Sequence, residues 1–110
     1  MLYVVIAYDG TEPGTFERRM LVRPAHMAGG EKMMQDGSFK FGGGILDGAG
    51  KMAGGVLIVD FESRAEIDEW LENEPYILNK VWSRVEVHPF LVPPQFRSLL
   101  PEHRPEPVAG

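Results

Sequence analysis

Met52-Ala53-Gly54-Gly55-Val56-Leu57-Ile58-Val59-Asp60-Phe61 is the stretch on which the fold turns. Its center, Val56-Leu57-Ile58-Val59, is apolar and β-branched and is the clearest strand in the chain. Just upstream, Ser38 to Leu46 reads as another strand, and the glycine-rich Asp47-Gly48-Ala49-Gly50 joins the two as a hairpin. Working outward, Leu2 to Tyr8 is a short apolar run closed by Asp9-Gly10, which predicts a buried first strand and a turn. Between this strand and the hairpin, Thr11 to Gln35 reads as helical, with Phe16, Met20, Met27 and Met34 on one face. Those methionines, with Met33, are expected to serve core and interface packing. Pro24 interrupts the pattern, because it donates no backbone bond and its ring crowds the carbonyl of Met20. A kink, or two helical pieces meeting near Arg23, is expected. Gly29-Gly30 weakens the second piece, and Asp36-Gly37 ends it.

Downstream of the hairpin, Ser63 is a candidate N-cap and Glu66 completes a capping box. Ala65, Ile67, Trp70 and Leu71 supply the buried face of that helix. Pro75 to Lys80 adds one more turn. Val81 to Val92 is the last strand, with Val81, Ser83, Val85 and Val87 expected on one side and Trp82, Arg84, Glu86 and His88 on the other. The order β-α-β-β-α-β predicts an α+β, ferredoxin-like fold: one antiparallel sheet with two helices on one face. The uncovered face calls for a second subunit, so a homodimer is expected. Residues 1–92 form the domain, and residues 93–110 hold five of the nine prolines and read as an extended proline-rich tail. Phe96, Leu99 and Leu100 are its candidate anchors to the body or to a partner.

Composition narrows the chemistry. A net charge of −5 without a basic stripe argues against nucleic acid or an anionic membrane as partner. The chain has no cysteine, which removes disulfides, thiolate metal sites and thiol nucleophiles. Met1 to Ile6 has no basic lead-in and is too short for a leader or a span, so a cytoplasmic protein is expected. No phosphate-loop glycine pattern occurs, and His88 and His103 have no ligand spacing to His26, so neither metal nor cofactor is expected.

Two segments carry candidate chemistry: Arg23-Pro24-Ala25-His26, and Glu74-Pro75-Tyr76 half a chain later. A histidine and a carboxylate brought together can move protons near neutral pH. If Pro24 opens a helical piece, His26 lies in its first turn, where the helix dipole disfavors imidazolium. Glu74 precedes a proline and is pushed out of helical geometry, which aims its side chain away from the helix surface. Arg19 and Arg23 are four apart and could bind a substrate anion together. Tyr76 could donate to a developing oxyanion. Gly43, within Gly42-Gly43-Gly44, could let a ligand approach the backbone. Each has a plainer alternative. His26 could be a satisfied structural histidine, and Glu74 one of a solvated acidic run with Glu69 and Glu72. The arginines could pair with Glu12, Glu17 or Glu31 at the surface, the tyrosine could cap the core, and the glycines could mark a strand bend.

These motifs resemble the YCII-related family of small bacterial proteins over residues 1 to 91. The resemblance runs through Tyr3-Val4-Val5, Arg19, Arg23-Pro24-Ala25-His26, Gly42-Gly43, Phe61-Glu62-Ser63, Pro75-Tyr76 and Val85-Glu86-Val87-His88-Pro89-Phe90. It implies a dimeric α+β barrel, in which two ferredoxin-like subunits pack sheet against sheet, as in muconolactone isomerase and small monooxygenases. It also implies an active site built on His26 with a carboxylate, and some relatives are dehydrochlorinases. The chain departs from the family in carrying Glu74 where aspartate is usual, and Gly44 where a proline tends to follow the strand-two glycine. Two functions follow as expectations. One is a cofactor-independent lyase, dehydrochlorinase or isomerase acting on a small anionic or aromatic-derived metabolite, with His26 as base and Glu74 orienting it. The other is a non-catalytic homodimer that binds a small ligand or a protein.

Overall fold

The computed structural model describes residues 1–101; the last part of the proline-rich tail, with His103, lies outside the described residues. The elements are β1 (Leu2–Asp9), α1 (Thr15–Asp36), β2 (Phe39–Leu46), β3 (Met52–Asp60), α2 (Arg64–Asn73), α3 (Pro75–Leu78), β4 (Trp82–Pro89) and α4 (Pro94–Arg97). The strands form one antiparallel sheet in the order β2-β3-β1-β4. This is the ferredoxin-like arrangement that the central hairpin predicts.

Strand β1 occupies a middle position, and its period-2 pattern sets both faces of the sheet. Tyr3, Val5 and Ala7 are buried on the helix side, where they join Leu57, Val59, Ile67, Tyr76, Val81 and Trp82 in the core. Residues directly opposite in a sheet share a face. Val4 and Ile6 stand opposite Ile58 and Val56, and Ile58 in turn stands opposite Phe41. These five apolar side chains therefore line the other face, which neither α1 nor α2 covers. Phe41 there is 64% exposed.

Helix α1 departs from the sequence reading in two ways. It runs through Pro24 as one helix, so the alternative of two separate helical pieces meeting near Arg23 does not occur. A proline inside a helix costs about 3 kcal/mol, and contacts on both sides of it offset that cost. Before it, Arg18 donates to the carbonyls of Asn79 (3.0 Å) and Lys80 (3.0 Å), and Arg19 is buried in an ion pair. After it, the helix closes in a Schellman turn, with Gly37 N–H donating to Met34 O (3.2 Å) and Ser38 N–H to Met33 O (2.9 Å). Gly37 has φ 87°, a conformation that residues with a Cβ adopt only at a cost. The second departure is the inner face. Met20, Met27 and Met34 are 43%, 51% and 60% exposed, so they are not the core stripe. Thr15 and Arg19 are buried instead, and Val22 and Met33 pack against the core. The inner stripe is displaced by about one residue because it carries polar groups that line a cavity.

Helix α2 starts as expected: Glu66 N–H donates to Ser63 Oγ (3.3 Å), and Glu66 Oε2 reaches back to accept from Glu62 N–H (3.2 Å). Ile67 enters the core and Trp70 stacks on Phe61 with centroids 5.9 Å apart, but Ala65 is exposed. In β4 the expected alternation fails at its start. A register shift opposite Tyr8 and Asp9 places Trp82 opposite Asp9, while Val85 and Val87 stand opposite Ala7 and Val5. The bulge thus turns Trp82 onto the helix side together with the two valines. The tail is not wholly extended, since α4 forms a helical turn. Phe96, Leu99 and Leu100 line an apolar groove with Phe41 and Ile58 at the uncovered face. Among the described residues, no helix is long and apolar enough to cross a membrane.

Candidate active site

The inner stripe of α1 presents Arg19, Arg23 and His26 at spacings of four and three, the neighbor positions of a helix. Facing them is the junction of α2 and α3, where Glu74 serves both as the C-cap of one and the N-cap of the other. Glu74 has φ −70° and ψ 126°, the extended geometry that the following proline imposes. Its Oε1 accepts from the backbone N–H of Tyr76 at 3.2 Å and lies 2.6 Å from His26 Nδ1. The pair is withdrawn from solvent, with side-chain exposures of 20% for His26 and 5% for Glu74. Proline geometry, local capping and a long-range contact thus converge on one carboxylate oxygen.

With Nδ1–H donated to Glu74, the neutral form of the ring carries its lone pair on Nε2. Nε2 has no partner among the described residues. His26 lies midway along α1, so the dipole argument for a neutral ring does not apply: that effect fades within the first turn of a helix. An aromatic stack sets the ring's plane instead. Tyr76 lies against it with centroids 4.0 Å apart and planes 18° from parallel, and Trp82 meets both rings edge-on at 5.5 Å.

Arg19 is held entirely by the protein. Its Nε donates to Asp9 Oδ2 (2.7 Å) and its Nη2 to Asp9 Oδ1 (3.4 Å) and Gly54 O (3.2 Å). Its Nη1 donates to the Tyr76 hydroxyl (3.3 Å) and reaches Met52 Sδ (3.6 Å). The guanidinium also lies 4.7 Å from the center of the Tyr76 ring. Arg23 contrasts with it: half-buried, it has no hydrogen bond or ion pair among the described residues. Burial pushes the Tyr76 hydroxyl up from its ordinary pKa, against the opposing charges of Arg19 and Arg23, so the O–H stays protonated. Since the Tyr76 oxygen accepts from Arg19, its own hydrogen is left to donate.

These groups line one cavity of about 570 Å³ between α1, the α2–α3 junction and the β2–β3 hairpin. Arg23, His26, Glu74 and Tyr76 stand on its wall, and Gly42, Gly43 and Gly44 contribute backbone. All six candidate site residues therefore meet at this cavity, although the strand register places the Cβ direction of Gly43 with Val56 on the uncovered face. The buried Trp82 Nε1–H has no acceptor among the described residues. Among those residues no three His, Cys, Asp or Glu side chains converge on a metal site.

Asp9, Met52, Gly54, Gly55 and Trp82 belong to this constellation but were missed from sequence. Asp9 had a signal: it continues the Tyr3, Val5, Ala7 parity of β1 and so points inward. Trp82 had none, because only the bulge turns it inward.

The structure is thus a ferredoxin-like α+β protein with a histidine–carboxylate pair on the wall of a partly enclosed cavity. The chain belongs to the YCII-related family, whose domain matches residues 1–91. Protein YciI of Escherichia coli O6:H1 and Protein YciI of Shigella flexneri are each 33% identical to it over 96 residues, covering 82% of this chain and 96% of theirs. Among solved structures it resembles 5-chloro-2-hydroxyhydroquinone dehydrochlorinase from Burkholderia phenoliruptrix AC1100 in complex with 2,5-dihydroxybenzoquinone. That match has a TM-score of 0.74 and 25% identity, covering 83% of this chain and 94% of the enzyme's.

Proposed function

We propose that this protein is a cofactor-independent acid/base enzyme of the lyase, dehydrochlorinase or isomerase type, acting in the cytoplasm on a small anionic, aromatic-derived metabolite. The observation that carries the reading is the 2.6 Å contact between His26 Nδ1 and Glu74 Oε1 at the cavity wall. Nε2 of His26 takes the proton. Glu74 holds the productive tautomer and balances the charge of the imidazolium that forms. The unpaired guanidinium of Arg23 receives the substrate anion, the Tyr76 O–H donates to oxygen as negative charge develops, and the backbone at Gly43 forms part of the binding wall. Arg19, its donors already engaged, acts as a positioning residue that fixes Tyr76 against His26. If the reaction eliminates HCl, the proton goes to Nε2 and the electron pair released expels chloride. The match to a dehydrochlorinase of similar size supports this class.

The test has two readouts on the unsubstituted protein. Ring-nitrogen NMR of His26 is expected to show Nδ1 protonated and Nε2 bare, with Nε2 shifting when the anionic probe 2,5-dihydroxybenzoquinone is added. Chloride release from 5-chloro-2-hydroxyhydroquinone is the accompanying turnover assay. A bare Nδ1 with protonated Nε2, or an Nε2 that ignores the probe, overturns the assignment of His26 as base.

The same reading makes the protein a homodimer joined through the uncovered sheet face, giving a dimeric α+β barrel. Val4, Ile6, Phe41, Val56 and Ile58 leave there an apolar surface that a small chain rarely keeps in water. Sedimentation at micromolar concentration should give a species of twice the chain mass, and Phe41→Asp should shift it to monomer. A monomeric unsubstituted protein sinks the barrel.

A further inference from the structure

Two glycines of the hairpin strands, on the row that faces the cavity, have no steric reason to be glycine; Gly43, directed to the other face, has none either. Gly44 and Gly55 stand opposite each other in β2 and β3, and Gly55 stands opposite Ala7 of β1. Because Ala7 is buried on the helix side, this row faces the cavity. Glycine inside a strand forfeits side-chain packing and β propensity, an effect of up to about 1 kcal/mol per position. At Gly42 and Gly54, space accounts for it. A Cβ on Gly42 would lie 2.8 Å from the Phe39 ring and 2.8 Å from the Val56 carbonyl, and one on Gly54 would collide with the Ala7 carbonyl. Neither reason holds at Gly44 or Gly55. Their backbone does not adopt positive φ. A Cβ on Gly44 would meet Gly54 O at 3.7 Å and Met52 Cγ at 3.9 Å; one on Gly55 would meet Gly43 O at 3.6 Å and Leu57 Cδ1 at 3.7 Å, all ordinary contacts. A side chain would fit the protein at both positions. It would also project into the cavity.

The geometry points to Gly44 and Gly55 as the specificity determinants of this site, a bare backbone floor that admits a flat, ring-bearing anion and that any side chain would close to it. The floor is apolar and the cavity also takes in Phe39, Met52, Trp70 and Trp82, a lining that suits a ring. Arg23 and His26 stand on the α1 side, with Glu31 also on α1 and Glu74 facing them from the α2–α3 junction. An anionic group binds there, and the body of the ligand extends over the glycines. The inference rests on the cavity being the reaction site, and it adds the residues that select by size.

The discriminating experiment compares two probes, 2,5-dihydroxybenzoquinone as the planar ring and malonate as a small anion that does not need the floor. Binding is followed by NMR titration of the His26 and Trp82 ring signals in the unsubstituted protein, Gly44→Ala and Gly44→Val. Strand β2 is at the sheet edge, so a valine there is tolerated by the backbone. The planar probe is expected to weaken severalfold in Gly44→Ala and tenfold or more in Gly44→Val, while malonate changes less than twofold. Retained malonate binding reports an intact Arg23–His26 end in the same sample, which separates a blocked floor from a misfolded variant. Equal affinity of the planar probe for all three proteins overturns the inference and leaves the His26 reading standing. Parallel loss of both probes also overturns it, since the glycines would then be structural. Failure of the unsubstituted protein to bind the planar probe removes the ring assignment, whereas the tautomer of His26 is read separately from its ring nitrogens.

Discussion

His26→Ala is expected to lower turnover by about 10²–10⁴-fold, the span that a positioned general base contributes, with little change in KM. The ring binds no substrate anion of its own in this scheme; its Nε2 acts only as the proton moves, and a loss confined to kcat is the signature of an interaction made in the transition state. Glu74→Gln should lose less. Oε1 alone accepts from Tyr76 N–H and faces His26 Nδ1, and an amide oxygen in that position keeps both hydrogen bonds, the start of α3 and the tautomer. Only the charge that offsets the imidazolium is gone. Glu74→Asp keeps the charge and shortens the reach by one methylene, so it should fall between the two. The assay is the kcat and KM of chloride release from 5-chloro-2-hydroxyhydroquinone. Full turnover in His26→Ala would remove the histidine from the chemistry and shift the base to another cavity group.

The β elements and the caps were legible because each rests on a local rule. Alternation in β1, the apolar core of β3, the turn at Asp47–Gly50 and the Ser63 cap all depend on residues within a few positions of one another. Glu74 was legible for the same reason, since a proline dictates the backbone of its predecessor. What lay hidden depended on tertiary packing. The inner face of α1 is polar at Arg19, Arg23 and His26, so hydrophobic periodicity pointed to the adjacent methionines, which stand largely exposed. Pro24 promised a break that the fixed ends of the helix prevent. The bulge that turns Trp82 inward exists only in the pairing of β4 with β1. The meeting of His26 and Glu74, 48 residues apart, was available only as a hypothesis from residue chemistry and family resemblance. The partner of Arg19 was not read at all, because surface glutamates nearer in sequence offered an easier pairing than Asp9.

That missed pair has the largest consequence for stability. Asp9→Ala is expected to destabilize the protein by about 3–5 kcal/mol, the cost of leaving one buried partner of an ion pair uncompensated. The Arg19 and Asp9 side chains are only 5% and 7% exposed, so water cannot take the place of the lost carboxylate without opening the core. The damage also reaches the site. Arg19 holds the Tyr76 hydroxyl, and Tyr76 holds the plane of His26, so a released guanidinium disorders the stack even in molecules that remain folded. Urea unfolding at fixed protomer concentration measures the loss, because the stability of the proposed dimer would depend on that concentration. A second variant separates charge from packing: Asp9→Leu combined with Arg19→Met removes both charges at similar volume and should recover most of the stability, as replacing a whole buried pair often does. It should not recover the site, since methionine cannot donate to Tyr76. A loss below about 1 kcal/mol in Asp9→Ala would place the pair among the weak, solvent-screened ion pairs and would free Arg19 to bind substrate beside Arg23.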